Sequence, residues 1–312
     1  MKKDKPKIIV VGSSNIDLVV KSQRIPATGE TILGGDFIMT PGGKGANQAV
    51  AAAKLGAEVF FICKLGCDIF GEQSLKSLKK EGVNLKYVTK TSDAASGVAL
   101  IAVDNNGNNA IVVAPGANQM LLPQDIKHAE SDIASAGAVV AQLEVPLETV
   151  VFAAKLTKKF NVPFILDPAP ARKLPAELLK LTDIIKPNET EAAILTGIKI
   201  TSEKTARDAA ASLLQKGVKT VILTMGSKGF LLAGPGFGKF IPAIKVEVVD
   251  STAAGDAFTG ALAFCIAQRR PILDTALFAN HVAALSVTKM GAQSSMPALN
   301  AVKKFVKSGR TL

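Results

Sequence analysis

Tryptophan is absent from this chain of 312 residues, which holds one tyrosine, three cysteines and two histidines. Each shortage closes off a chemistry. Proteins that bind single-stranded nucleic acid need aromatic platforms for the bases to stack on, and this chain has few to offer. Cys63, Cys67 and Cys265 are too few, and odd in number, for a disulfide framework. No Cys-x-x-Cys or Cys/His set completes a zinc site, so the three thiols are expected in the core, in a reducing, cytoplasmic setting. With only His128 and His281, a histidine-rich metal site or a Ser-His-Asp triad is poorly supported. No apolar run approaches the ~18–20 residues of a membrane span. The basic Met1–Lys7 leads into Ile8–Val11, which is too short for the apolar part of a secretory signal. These absences predict a soluble intracellular protein with no membrane partner.

What the chain does have is positive charge. Lys and Arg number 37 against 26 Asp and Glu, a net charge of +11. A basic surface invites nucleic acid, but the lysines are spread along the chain without a long basic block, so nucleic acid is not the expected partner. Small anionic phosphates suit such a chain equally well. Hydrophobic residues at 48% and charged residues at 20% fit a folded, enzyme-sized protein.

Short β-branched runs alternate with longer amphipathic ones. Strands are expected at Ile8–Gly12, Glu58–Ile62, Val139–Gln142, Pro163–Asp167, Asp183–Lys186 and Thr220–Thr224, with a β-like run at Lys245–Val249. Helices are expected at Ala46–Leu55, Phe70–Glu81, Leu147–Phe160, Glu203–Lys216, Gly255–Gln268, Asp274–Met290 and Ala298–Lys307. Strands separated by helical patterns predict an α/β fold, a mainly parallel sheet with helices on both faces. Two segments break the rhythm. Asp17–Met39 lacks a helical stripe and carries Pro26, Gly29, Gly34 and Gly35. Ser96–Ala114 holds two β-like runs joined by Asp104-Asn105-Asn106-Gly107-Asn108-Asn109, residues that tolerate left-handed backbone, so it reads as a hairpin. Both look like excursions from one domain covering 1–312, forming a small β-sheet lid from about 17–39 and 97–113. Ligands of α/β folds sit at the carboxyl ends of the parallel strands, where such a lid would close.

Three stretches carry candidate chemistry. In Pro41-Gly42-Gly43-Lys44-Gly45-Ala46-Asn47-Gln48, glycines before a helix let backbone N–H groups approach an anion or a polar oxygen. It is not a P-loop, because Lys44 is followed by Gly45, nor a Rossmann fingerprint, because the third glycine slot holds Gln48. In Asp250-Ser251-Thr252-Ala253-Ala254-Gly255-Asp256, small residues open an apolar helix and expose several N–H groups as an anion hole. Asp256 there is either a helix-capping acid or a general base beside that hole, the arrangement that phosphoryl transfer to an alcohol requires. Asn188-Glu189-Thr190-Glu191 fits a helix capping box, and its carboxylates also suit Mg²⁺ held through water.

Together these stretches resemble the signatures of the ribokinase family of sugar kinases, the PfkB carbohydrate kinases, with the similarity running from about Ile8 to Phe305. Gly12-Ser13-Ser14-Asn15-Ile16-Asp17, Gln142-Leu143-Glu144, Pro168-Ala169-Pro170-Ala171 and Gly291-Ala292-Gln293-Ser294-Ser295 are similar to its ribokinase branch. The resemblance implies ATP-dependent phosphorylation of D-ribose at O5, the sugar lying against Asn15, Asp17, Gly43, Lys44, Asn47 and Glu144. It makes Asp256 the base and the amides of Ala253, Ala254 and Gly255 the anion hole. Nucleotide contacts fall to Asn188, Thr224, Gly226, Ser227, Gly229 and Asn280, and Mg²⁺ to the vicinity of Glu191. A K⁺ ion is implied near Asp250, Thr252, Ser286, Lys289, Gly291 and Ser295. The chain departs from the family at Ala253, where Gly is frequent, and at Asp167, where Asn is common. A related kinase of deoxyribose or fructose is the nearest alternative, and a basic nucleic-acid-binding protein on the same fold a more distant one. Two small β excursions cannot bury both their faces, which predicts a homodimer through the lid.

Overall fold

The computed structural model describes residues 5–307. Its strands are β1 (Lys7–Val11), β2 (Asn15–Lys21), β3 (Phe37–Gly42), β4 (Glu58–Gly66), β5 (Val88–Thr91), β6 (Gly97–Val103), β7 (Asn109–Ala114), β8 (Ala138–Ala141), β9 (Phe164–Leu166), β10 (Ile184–Ile185), β11 (Thr220–Thr224), β12 (Phe230–Gly234) and β13 (Phe237–Ile241). Nine of them form one sheet in the order β13-β12-β11-β10-β9-β8-β1-β4-β5. It is parallel from β11 to β5, while β12 and β13 add an antiparallel edge. The edge hairpin and β5 are absent from the expected set. The six expected strands are present, with β4 running on to Gly66.

Alternation along each central strand feeds two cores. Ile8 and Val10 point into one apolar cluster with Val59 and Phe61, while Ile9 and Val11 join the opposite cluster with Phe60 and Ile62. Burying each such side chain contributes about 1.5–3 kcal/mol, so both faces of β1 are fixed by helices. Lys44–Lys54, Ala254–Ala267 and Ile272–Ser286 cover the first face, and Leu147–Phe160 and Glu203–Gln215 the second. Helices Lys44–Lys54 and Ala254–Ala267 touch closely: a Cβ added to Gly260 would lie 2.6 Å from the Ala51 Cβ.

The segments that broke the helical rhythm form a second sheet in the order β3-β2-β6-β7. The hairpin between β6 and β7 turns where the Asp104–Asn109 run predicts, with Asp104 accepting from the amides of Asn106 (2.8 Å) and Asn108 (2.9 Å). Two expectations fail. Lys245–Val249 is not a strand: β13 already forms the sheet edge, and Val248 and Val249 lie exposed. Alternation there reported β propensity with no neighbouring strand to satisfy it. Cys63 and Cys265 are buried, but Cys67 is exposed on the turn leaving β4. No described helix is long and apolar enough to cross a membrane.

Candidate active site

Carboxyl ends of the parallel strands and three helix starts converge on one cleft. Helix Lys44–Lys54 begins at Gly43, whose φ of 88° lies in the left-handed region. A Cβ there would sit 2.7 Å from the Asn15 amide nitrogen, so glycine is required twice over. The tight entry places Lys44, Asn47 and Gln48 on the first turns of the helix. The Lys44 amide donates to Glu144 Oε2 at 3.1 Å, and Ser13 Oγ donates to the same oxygen. Asn15, buried where β2 starts, accepts from Asn118 Nδ2 at 2.7 Å, and Asn118 in turn accepts from the Ser14 amide at 2.9 Å. Asn118 is a site-shaping residue that the sequence reading missed. It lies in a 3₁₀ turn, without a motif, and only folding brings it to Asn15.

Asp256 opens the helix Ala254–Ala267 and is buried. Its two oxygens accept from Asn47 Nδ2 and Gln48 Nε2, each at 2.9 Å. Burial pushes its carboxyl above the ordinary aspartate value and Asp167 adds to this, while Lys44 and the two amides pull it back. Burial also opposes the charge on Lys44, but the carboxylates of Asp256, Asp167, Glu144 and Glu191 outweigh it and hold the ammonium above the usual lysine range. Asp17 is pushed up to about 6 by burial, then by Glu144 and Asp256. Gly42 is needed beside it, since a Cβ there would meet Asp17 Oδ2 at 2.2 Å. The expected sugar set of Asn15, Asp17, Gly43, Lys44, Asn47 and Glu144 is thus one cluster next to Asp256.

The predicted anion hole lies at the same helix start. Ala253 has φ 59°, a left-handed turn that is costly for a residue with a Cβ. The Ala254 amide donates to the Ser251 carbonyl at 3.3 Å, whereas the amides of Ala253, Gly255 and Asp256 find no acceptor among the described residues. These amides, at the positive end of a helix dipole, are free to hold an anion. A cleft of about 380 Å³ opens in front of them, lined by Lys44, Glu191, Asn188, Thr224, Gly226, Gly229 and Asn280 among others. Ser227 lines a neighbouring cavity of about 660 Å³ that shares Gly226 and Asn280. All six expected nucleotide residues therefore face one continuous region.

Asn188 caps the helix Glu189–Thr196, and both oxygens of Glu191 accept from it: from its amide at 2.8 Å and from Nδ2 at 3.0 Å. The capping reading holds. Asp250 joins two loops, accepting from the Thr252 amide at 2.9 Å and the Gly291 amide at 2.8 Å. Burial opposes its charge, yet these bonds hold its carboxyl below the ordinary value. Ser286 ends the helix Ile272–Ser286, its carbonyl accepting from the Lys289 amide at 3.2 Å. Ser295 is buried a turn further on, its hydroxyl bonded to the Ala292 carbonyl. Hard oxygens and carbonyls of this kind suit a monovalent cation.

The site brings together a cluster of polar side chains, a buried carboxylate and a helix start whose amides at 253, 255 and 256 have no acceptor among the described residues; comparisons with known proteins give the family. The sequence pattern of the pfkB family carbohydrate kinases matches residues 5–299. The chain is 44% identical over 302 residues to the bifunctional ribokinase/ribose-5-phosphate isomerase A of Fructilactobacillus sanfranciscensis, covering 96% of this chain and 56% of that longer protein. It is 40% identical over 299 residues to the ribokinase of Haemophilus influenzae, covering 96% of this chain and 98% of the relative. The structure of Arabidopsis thaliana ribokinase complexed with ribose and ATP matches with a TM-score of 0.90 at 35% identity, over 97% of this chain and 99% of the other. With its nine-stranded sheet, its small second sheet and this site, the chain belongs to the pfkB family of carbohydrate kinases.

Proposed function

We propose that this protein phosphorylates D-ribose at O5 with ATP, giving D-ribose 5-phosphate and ADP. The observation that carries the proposal is the position of Asp256, bonded to the sugar cluster through Asn47 and seated one residue after the anion-hole glycine, Gly255. Asn15, Asp17 and Glu144 offer acceptors, and Lys44 and Asn47 offer donors, to a ligand with several hydroxyls. A site built from such groups penalises a sugar that leaves one of them unpaired. Asp256 takes the proton of the attacking hydroxyl, and its raised proton affinity makes it a stronger base than an exposed aspartate. The unused amides at 253, 255 and 256 stabilise the charge on the transferring phosphoryl group. Lys44, held cationic, faces both substrates.

ATP lies along the cleft from Asn188 and Thr224 to Ser227, Gly229 and Asn280. Glu191 would hold Mg²⁺ through water beside the nucleotide, where the ion would neutralise phosphate charge. Asp250, Thr252, Ser286, Lys289, Gly291 and Ser295 would hold K⁺, which would stiffen the loop that carries the anion hole. Residues 5–307 act as one α/β unit in the cytoplasm, with the sheet β3-β2-β6-β7 as its lid and homodimer contact. The test is a panel of ribose, 2-deoxyribose and fructose with coupled detection of ADP. Ribose should give the highest kcat/KM. A higher value for either other sugar, or no ADP formed with ribose, would overturn the assignment.

A further inference from the structure

Two charged residues with no role so far meet under the cleft. Asp167 directly follows β9 and Lys186 directly follows β10, and these strands are parallel neighbours with Ile185 opposite Leu166. The pairing sets the two side chains next to each other, Lys186 Nζ 3.0 Å from Asp167 Oδ2, both nearly fully buried. An ion pair buried only for stability is a poor choice, since an apolar pair of similar volume usually does as well or better. This pair is not sealed away, however: both residues line the 380 Å³ cleft together with Lys44, Glu191 and Asp256. Lys186 Nζ also donates to the Gly255 carbonyl at 3.3 Å, on the residue whose amide belongs to the anion hole.

The charge balance of the cleft gives Lys186 a task. Its carboxylates are Asp167, Glu191 and Asp256, and its cations are Lys44 and Lys186. Without Lys186, a polyphosphate would enter against three carboxylates with a single lysine to meet it. Asp167 in turn has ties that fix it. Its Oδ2 accepts from Gln48 Nε2 at 2.9 Å and from Thr259 Oγ1 at 3.2 Å. The same Gln48 nitrogen donates to Asp256 Oδ1, and Gln142 Nε2 donates to Gln48 Oε1 at 2.6 Å, so the Gln48 amide has one orientation.

We infer that Lys186 is a phosphate-binding residue of this site, gripping the terminal phosphates of the nucleotide beside the anion hole, and that Asp167 is its positioning residue. The inference rests on the kinase reading but not on which sugar is used. An ammonium on a phosphate makes charge-assisted hydrogen bonds, so its loss should weaken phosphate binding roughly 10- to 100-fold.

The experiment measures binding by calorimetry with β,γ-methylene ATP and with adenosine as probes, together with thermal midpoints. Lys186→Met should weaken the analogue at least about tenfold and leave adenosine unchanged. Because that variant strands the Asp167 charge, the double variant Lys186→Met/Asp167→Asn is essential. It should regain most of the lost thermal midpoint while the analogue stays weakly bound. Lys186→Arg, which keeps the charge, should bind the analogue far better than Lys186→Met. Unchanged analogue affinity in Lys186→Met, or its recovery in the double variant, would overturn the inference and leave the pair a structural one. A wild-type protein that binds the analogue but does not phosphorylate ribose would defeat the ribose assignment alone.

Discussion

Replacing Asp256 by asparagine keeps its volume and removes its charge, so it separates chemistry from architecture. Two donors, Asn47 Nδ2 and Gln48 Nε2, aim at the two oxygens, and the new amide can accept from only one of them. Asn47 can turn its own amide to compensate, because its Oδ1 is buried without a partner. The fold and ATP binding should therefore survive, while kcat falls roughly 10²–10⁴-fold, the usual worth of a positioned base. A variant that keeps more than about a third of wild-type kcat, where chemistry limits turnover, would reduce Asp256 to a helix-capping acid. Asp17 gives a second prediction, on pH. Its carboxyl titrates near 6 in the folded protein against 3.8 ordinarily, because burial and the charges of Glu144 and Asp256 disfavour ionisation. If the ionised form accepts hydrogen bonds from the sugar, KM for ribose should rise as pH falls below about 6, by roughly tenfold one unit lower, with Asp17→Asn removing that dependence. The stability sign runs the other way. A raised carboxyl pKa favours the folded state fully below 3.8, and this contribution is lost as pH rises through about 6. Asp17→Asn should therefore gain thermal stability over wild type near pH 8 and little near pH 3.5. A flat KM profile in wild type between about pH 5 and 7 would remove Asp17 from the sugar site.

The elements that carry the site differ in how plainly the sequence shows them. A buried parallel strand such as Ile8–Val11 is readable because its apolar run is bounded by Gly12 and both its faces are covered. The Asn188–Glu191 cap is readable because a capping box is local. Asn118, Gln48 and the Asp167–Lys186 pair are not, since each meets its partner only in the folded chain: Asn118 reaches Asn15 from a 3₁₀ turn, Gln48 reaches Asp167 from a helix, and Asp167 and Lys186 meet through the register of β9 and β10. The hairpin β12–β13 escapes for a related reason: Phe237 and Lys239 are exposed, so its outer strand has little apolar pattern to read. The loop Asp250–Thr252 shows the opposite case: the family resemblance brings it together with Gly291, and in the structure the two loops meet. Asp250 ties its own loop to Gly291 through the two amides, so whatever organises these carbonyls also sets the approach to Ala253 and Gly255. Activity should accordingly rise when K⁺ is titrated into Tris or Na⁺ buffer, since a bound cation would stiffen the loop that presents the anion hole. A flat response after careful removal of K⁺ and NH₄⁺ would speak against a cation there, and leave Asp250 as a loop clasp only.

At the scale of the whole molecule, the small sheet is a mismatch between surface and solvent. Its strand register sets Val20, Phe37, Met39, Leu100 and Val112 on one face and Asp17, Ile38, Ile111 and Val113 on the other. Every one of these apolar residues is exposed in the isolated chain, from 38% for Val20 to 66% for Val112. Apolar residues exposed on both faces of a four-stranded sheet are unusual for a stable protein, and exposed apolar area on this scale marks an interaction surface. The faces differ in what can cover them. The Asp17 face borders the sugar cluster, because β2 carries Asn15 and Asp17 directly into the site, so closing the lid over ribose would cover part of it and shut out water that competes for the phosphoryl group. The opposite face has no polar ligand group and needs a protein surface. Pairing with the same sheet of a second chain supplies one by two-fold symmetry. Sedimentation should therefore find a dimer at about micromolar concentration. Replacing Leu100 and Val112 with charged residues, as in Leu100→Glu/Val112→Lys, should shift the population to monomer while the nine-stranded core keeps its thermal midpoint within a few degrees. Hydrogen exchange across Ser96–Ala114 should slow when ribose is added to the dimer, since a closed lid protects the β6–β7 amides. A strictly monomeric protein whose exchange in that hairpin ignores ribose would end both the lid and the dimer proposals. It would leave the reading of Asp256 and the free amides before it standing, because these groups lie on the helix Ala254–Ala267, packed on the large sheet.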